Sequence, residues 1–132
     1  MTNFFVDTDI LVDLLKETTP KGAEEWINHL DVPALYITQQ VVRELLDGVR
    51  NKEELLIVDR LLAKFERVYH SPEDEIKAEE LQRRFMLSHN VGPGDTLIAA
   101  TVMRHNGVLY TLNEKHFRAI PDLSYEVPYR KS

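Results

Sequence analysis

Four stretches of this 132-residue chain carry oxygen donors at positions that could serve a common ligand. Asp7 and Asp9 lie in Val6-Asp7-Thr8-Asp9, and Glu44 lies in Val42-Arg43-Glu44-Leu45. Asp95 follows Gly92-Pro93-Gly94, and Thr111 and Asn113 follow Val108-Leu109-Tyr110. Carboxylate and amide oxygens are hard donors. They suit Mg2+ or Mn2+, which keep several waters and need few protein ligands. Without a cation, converging Asp7, Glu44 and Asp95 would repel one another, and at least one would hold its proton more tightly. A cation removes that penalty and stabilises the fold by mass action.

Taken singly, each residue has an ordinary explanation. Asp7 suits the cap of a following helix, and Asp95, placed before an apolar helical run, suits one still better. Asp9 and Asp13, four residues apart, fit a solvated helix face, and Glu44 fits the edge of an apolar stripe. Asn113 and Glu114 would pass as turn residues. Only the arrival of all four segments at one place would make a site.

The elements that must position them follow from hydrophobic spacing. Phe4-Phe5-Val6 reads as a short buried strand, and Ile10 to Leu15 has helical periodicity. Lys21 to Leu30 reads as a helix behind Pro20, with Ala23, Trp26, Ile27 and Leu30 on one face. Ala34 to Ile37 is a second strand, after which Thr38 caps a helix carrying Val41, Val42, Leu45, Leu46 and Val49. Helices over Lys52–Phe65 and Pro72–His89 flank a weaker strand at Arg67–His70. After the Gly92-Pro93-Gly94 break, a helix opening at Asp95 or Thr96 leads through the Asn106-Gly107 turn to a strand at Val108–Tyr110. A helical turn over 114–119 precedes a last strand near Tyr125–Val127. Short apolar strands alternating with helices predict a single α/β domain over residues 1–132, its central, mostly parallel sheet covered by helices on both faces. Ligands of such sheets bind outside the carboxyl ends of the strands, where the oxygen donors fall.

Composition narrows the function. A 43% apolar content supports one core, and the lack of cysteine excludes disulfides, thiolate catalysis and thiolate metal sites. No run of eighteen apolar residues offers a membrane span, and Met1-Thr2-Asn3-Phe4 lacks the layout of a secretory signal, so the expectation is a cytoplasmic protein. The net charge of −6 argues against a broad nonspecific nucleic-acid face, yet metal-holding carboxylates themselves add to that tally. The five histidines lack paired metal-ligand spacing, which disfavours zinc. A phospho-receiver would need an Asp at the end of its third strand, where Tyr69-His70-Ser71 stands.

The ordered set of motifs resembles the PIN-domain ribonucleases, particularly the VapC-type toxins of toxin–antitoxin pairs. Phe5-Val6-Asp7-Thr8-Asp9-Ile10-Leu11-Val12-Asp13-Leu14-Leu15 is similar to the family's strand-Asp-Thr-Asn-hydrophobic opening. Val41-Val42-Arg43-Glu44-Leu45-Leu46-Asp47-Gly48 is similar to its Glu-Leu helix with a Gly four residues on. Gly94-Asp95-Thr96-Leu97-Ile98-Ala99-Ala100 resembles its Asp-x-x-Ile-Ala-Ala segment, and Thr111-Leu112-Asn113-Glu114-Lys115-His116-Phe117 its closing motif. The matches arrive in family order over almost the whole chain. Two departures stand out: Asp9 replaces the family's usual Asn, and no fourth acid is present, Asn113 and His116 occupying its candidate positions.

The resemblance implies RNA phosphodiester cleavage with Mg2+ or Mn2+. Asp7 and Asp95 would be the principal metal ligands, and Glu44 a ligand or a positioner of the attacking water. Asn113 would place water or a second ion, and Thr111 would support the acids. Asp9 and His116 are further candidates, while Arg43, Lys115 and Arg118 would meet RNA phosphates. An antitoxin that occludes the acidic cleft and a homodimer are implied as partners, with no membrane association. The alternative is a degenerate PIN-like module that binds RNA or a protein partner without cutting, a reading that Asn113 keeps open.

Overall fold

In the computed structural model, which describes residues 2–130, neighbouring residues of the inner strands are buried on opposite sides of the pleat. Phe5 and Val6 are both 1% exposed, and the pairs Ile37 with Thr38 and Leu109 with Tyr110 are likewise buried. A strand buried on both sides requires helices over both faces of the sheet. The strands are β1 (Phe4–Val6), β2 (Leu35–Thr38), β3 (Glu66–Val68), β4 (Val108–Tyr110) and β5 (Ser124–Glu126). They form one sheet in the order β3-β2-β1-β4-β5, with every pair parallel. The expected mostly parallel α/β sheet is therefore wholly parallel among the described residues.

Seven helices connect the strands among these residues: α1 (Thr8–Leu15), α2 (Lys21–His29), α3 (Gln39–Asp47), α4 (Lys52–Leu62), α5 (Pro72–His89), α6 (Pro93–Arg104) and α7 (Glu114–Phe117). Their ends follow from capping chemistry. The Thr38 hydroxyl accepts the Val41 amide at 3.2 Å, as expected from the sequence. Ser71 and Asp74 form a reciprocal capping box at the start of α5. Asp74, 2% exposed, also receives a 2.7 Å bond from Arg104 at the end of α6, which pins α5 to α6.

Two expectations, for Asp95 and Asp13, need correcting, and a third, the Asn106-Gly107 turn, is met in detail. Asp95 does not cap α6: the helix starts two residues earlier, with Gly92 as its cap and Pro93 in the first turn, where a missing amide proton costs nothing. The Asn106-Gly107 turn takes its left-handed residue at Asn106 (φ 50°), while Gly107 supplies space, because any Cβ there would press on the Phe5 ring. Asp13 is not solvated. It is fully buried, with Lys16 Nζ at 2.9 Å on one oxygen and Tyr129 Oη at 2.8 Å on the other.

The strand order reverses beside β1: the chain steps outward through β2 and β3, then returns to place β4 on the opposite side. Such a reversal leaves a crevice at the carboxyl ends of the two inner strands. Asp7 follows β1 and Thr111 follows β4 at that crevice.

Candidate active site

Asp7 is fixed from the end of β4 and from the start of α1. Its amide donates to Tyr110 O at 2.9 Å, continuing the β1–β4 ladder past the strand end. Its Oδ1 accepts the Thr8 amide at 2.8 Å, so Asp7 does cap α1, and its Oδ2 accepts the Thr111 hydroxyl at 2.7 Å. Thr111 Oγ1 in turn accepts the Asn113 amide at 3.0 Å, which orients the hydroxyl toward Asp7. The Asp7 carboxyl is 5% exposed. Burial pushes its pKa up, and the charges of Asp9 and Glu44 add to the rise against the pull of the Thr111 and Thr8 bonds, leaving it at about 7.

Asp9, in the first turn of α1, accepts the Leu112 amide at 3.1 Å, so both first-motif acids reach across to the segment after β4. Glu44, on α3, takes the Thr8 hydroxyl on Oε1 at 2.7 Å and the Gln40 amide on Oε2 at 3.0 Å. A side chain on Gly94 would collide with that same Oε2, so the first turn of α6 rests directly on Glu44. The next residue, Asp95, meets His116 across a 2.9 Å contact between Oδ2 and Nδ1.

Asn113 Nδ2 also lies 2.8 Å from His116 Nδ1. One ring nitrogen cannot accept from an amide and donate to a carboxylate at once. With its proton on Nδ1, His116 donates to Asp95, and the Asn113 amide turns its oxygen to the ring, an exchange of ends that leaves its shape unaltered. The closing motif thus sets His116 directly on Asp95, with Asn113 on the same ring nitrogen.

The predicted residues therefore fall into two linked groups on one rim of the sheet. Asp7, Asp9, Thr111 and Glu44 are joined through Thr8 and through charge, and Asp95, His116 and Asn113 form the second group. Among the described residues, no three acidic or histidine side chains stand together as a ready-made metal cage. The donors nevertheless fit a divalent hard cation. They are predominantly oxygens, and the buried Asp7 carboxyl sits between like charges that a cation would offset. Mg2+ commonly takes one or two carboxylates and keeps waters elsewhere. Arg43, Lys115 and Arg118 are all exposed near this rim in sequence. Thr8, Gln40 and Gly94 were not singled out from sequence, although Thr8 and Gly94 lie inside the quoted motifs.

An all-parallel sheet with acidic residues at its switch point defines a class, and the family model for the PIN domain matches residues 4–123. The chain belongs to the PIN-domain family. Among its relatives, Ribonuclease VapC10 of Mycobacterium tuberculosis is 38% identical over 118 residues, covering 85% of this chain and 84% of that protein. Ribonuclease VapC of Rickettsia bellii is 30% identical, covering 89% of this chain and 90% of that protein. A crystal structure of VapBC2 from Rickettsia felis, bound to a DNA fragment from its promoter, superposes with a TM-score of 0.79 at 26% identity, over 95% of this chain and 98% of that one.

Proposed function

We propose that the chain is a metal-dependent ribonuclease and the toxin of a VapBC-type toxin–antitoxin pair. The observation that carries this reading is Asp7: a nearly buried carboxyl at the sheet's switch point, held between Thr8 and Thr111 and raised to a pKa of about 7 beside Asp9 and Glu44. The ribonuclease names of the two relatives and the toxin–antitoxin structure support the biological role.

When bound, Mg2+ or Mn2+ supplies Lewis acidity to a phosphodiester oxygen and to the attacking water. Asp7 and Asp95 would hold it, and Glu44 would complete its surroundings or take the proton of that water. Thr111 holds Asp7 in one rotamer through Oδ2 and leaves the carboxylate acceptor capacity for a further partner. His116 fixes Asp95 through Nδ1, and Asn113 meets the same nitrogen beside it. The N-termini of α1 and α3 open at this rim, and their positive ends favour the ionised acids and a phosphate alike. Lys115, Arg118 and Arg43 meet the RNA backbone, which the chain's negative net charge would otherwise repel.

The antitoxin and a homodimer partner belong to the same reading. An apolar groove of about 570 Å3 runs between α1, α3 and α4, with Val12, Leu15, Leu45, Val49 and Ile57 on its walls. Beside it, α4 leaves Leu56 58% and Ile57 45% exposed, apolar surface that a bound partner would cover. No helix among the described residues is long and apolar enough to cross a membrane.

Cleavage of RNA in Mn2+ or Mg2+, with and without chelator, tests the activity. Asp7→Asn and Asp95→Asn should each lower kcat by on the order of 10²–10³, the loss seen when a charge-stabilising group leaves an active site. Undiminished cutting by both variants would remove the mechanism.

A further inference from the structure

Glu44 is gripped by three elements at once. Thr8 at the start of α1 donates to Oε1, and Gln40, one helical turn earlier on α3, donates to Oε2. From a third side, Gly94 in the first turn of α6 rests against Oε2 so closely that no Cβ fits. Gly94 does not have a positive φ, so glycine stands here for the room it leaves, not for its backbone freedom. The Cβ that Gly94 lacks would also approach Gln40 Nε2 to 3.1 Å, so the two positions are built around one carboxylate.

We propose that Gln40 is a positioning residue, which with Gly94 sets the rotamer of Glu44 for catalysis. The inference rests on the nuclease reading above and extends it to a residue outside the acid set. A glutamate has three rotatable side-chain bonds, and a carboxylate that wanders serves the reacting groups for only part of the time. Thr8 alone leaves rotation about its single bond, whereas the Gln40 amide on the second oxygen fixes the carboxylate plane. The ionised group has about four acceptor positions, and these two donors leave capacity for a water or cation. A solvated i,i+4 pair on a helix would serve no such purpose, and it would not need a neighbouring helix stripped to glycine at the point of contact.

The test uses three substitutions at one position. Gln40→Met keeps the length and removes the donor, Gln40→Glu keeps the shape and repels Glu44, and Gln40→Lys restores a donor. With the clamp, kcat falls about tenfold in Gln40→Met and up to about 100-fold in Gln40→Glu, the range typical of groups that orient a metal site's ligands. KM for RNA changes less than about twofold, because binding and positioning separate in this way when only the reacting geometry is lost. Mn2+ affinity measured by calorimetry falls in the same order, and Gln40→Lys recovers most of the loss. In a Glu44→Ala background, none of the three changes residual cutting or the melting temperature. Wild-type kcat and Mn2+ affinity in Gln40→Glu, or losses that persist undiminished without Glu44, would overturn the proposal. A wild-type chain that neither cuts RNA nor binds Mn2+ would sink the nuclease reading instead. The clamp would then stand or fall on thermal unfolding, where Gln40→Met must lower the melting temperature only when Glu44 is present.

Discussion

Asp7 titrates under opposed influences, and their balance has a measurable sign. Burial and the charges of Asp9 and Glu44 lift its pKa from the ordinary 3.8 to about 7, while bonds from Thr111 and Thr8 pull it down. Below pH ~4 the folded and unfolded chains both hold this proton, so Asp7 makes no difference to stability. Between about pH 4 and 7 the unfolded chain has lost the proton and the folded chain keeps it, so stability falls as pH rises. Above 7 the full penalty applies until a divalent cation binds the ionised group. Asp7→Asn should therefore raise the melting temperature of the metal-free protein at pH 8 by on the order of 5 °C and have little effect at pH 4. Added Mn2+ should stabilise the wild type and not the variant; equal melting temperatures at pH 8 would refute the assignment. At this scale the sequence was informative where a motif marks a residue: Asp7, Asp95 and Thr111 stand in recognisable runs at predicted strand or helix ends, and Glu44 in one partway along a helix. Gln40 was not legible, because a polar residue at a helix start looks the same whether it faces water or a carboxylate. Asp13 was misread for a related reason: a solvated acid and a buried ion pair differ only in what lies over them, here Tyr129, 116 residues later.

Helix α1 carries Asp9 and Asp13 and is capped by Asp7, so its seating governs half of the acid rim. One of its fastenings is far along the chain. Tyr129, 9% exposed, packs against Trp26 with ring centroids 6.3 Å apart, and its hydroxyl reaches Asp13 Oδ2. Burial raises the phenol's pKa and the adjacent Asp13 carboxylate raises it further, so it remains a donor through the neutral range. Tyr129→Phe removes a bond to a buried charge while Lys16 still holds the other oxygen, and should cost about 2 kcal/mol. Urea unfolding checks this through a lowered midpoint at unchanged slope, and an unchanged midpoint would show the bond to be idle. Elements with strong punctuation were readable to the residue: α5 from Pro72 to His89, and β4 from Val108 to Tyr110. The edge strands were less so. Arg67–His70 proved to be Glu66–Val68, and Tyr125–Val127 proved to be Ser124–Glu126, because a strand with one free edge and exposed side chains lacks the apolar run that marks an inner one. The start of α6 was displaced because Pro93 and Gly94 read as breakers, although proline is at home in a first turn.

Across the whole molecule, the contacts that build the candidate centre join the two ends of the sequence. Asp7 meets Thr111 across 104 positions, Asp9 meets the Leu112 amide across 103, and β1 is walled on one side by β4. Parallel pairing of such distant segments closes large loops and is slow to form. The sheet class was legible from the alternation of strands and helices; the strand order was not, since nothing local in β1 names β4 as its neighbour. That order has a consequence for the cell that makes the protein. During translation Asp7 and Glu44 emerge first, and the segment that completes their surroundings follows only after β3, α5 and α6 have been made. At roughly 10 residues per second, many seconds separate the two events. On the nuclease reading, a growing chain stays inactive until β4 and the residues after it have been made and packed against β1. Nascent chains arrested before residue 108 should leave RNA intact, and released full-length chains should degrade it; cleavage by the arrested species would contradict this timing.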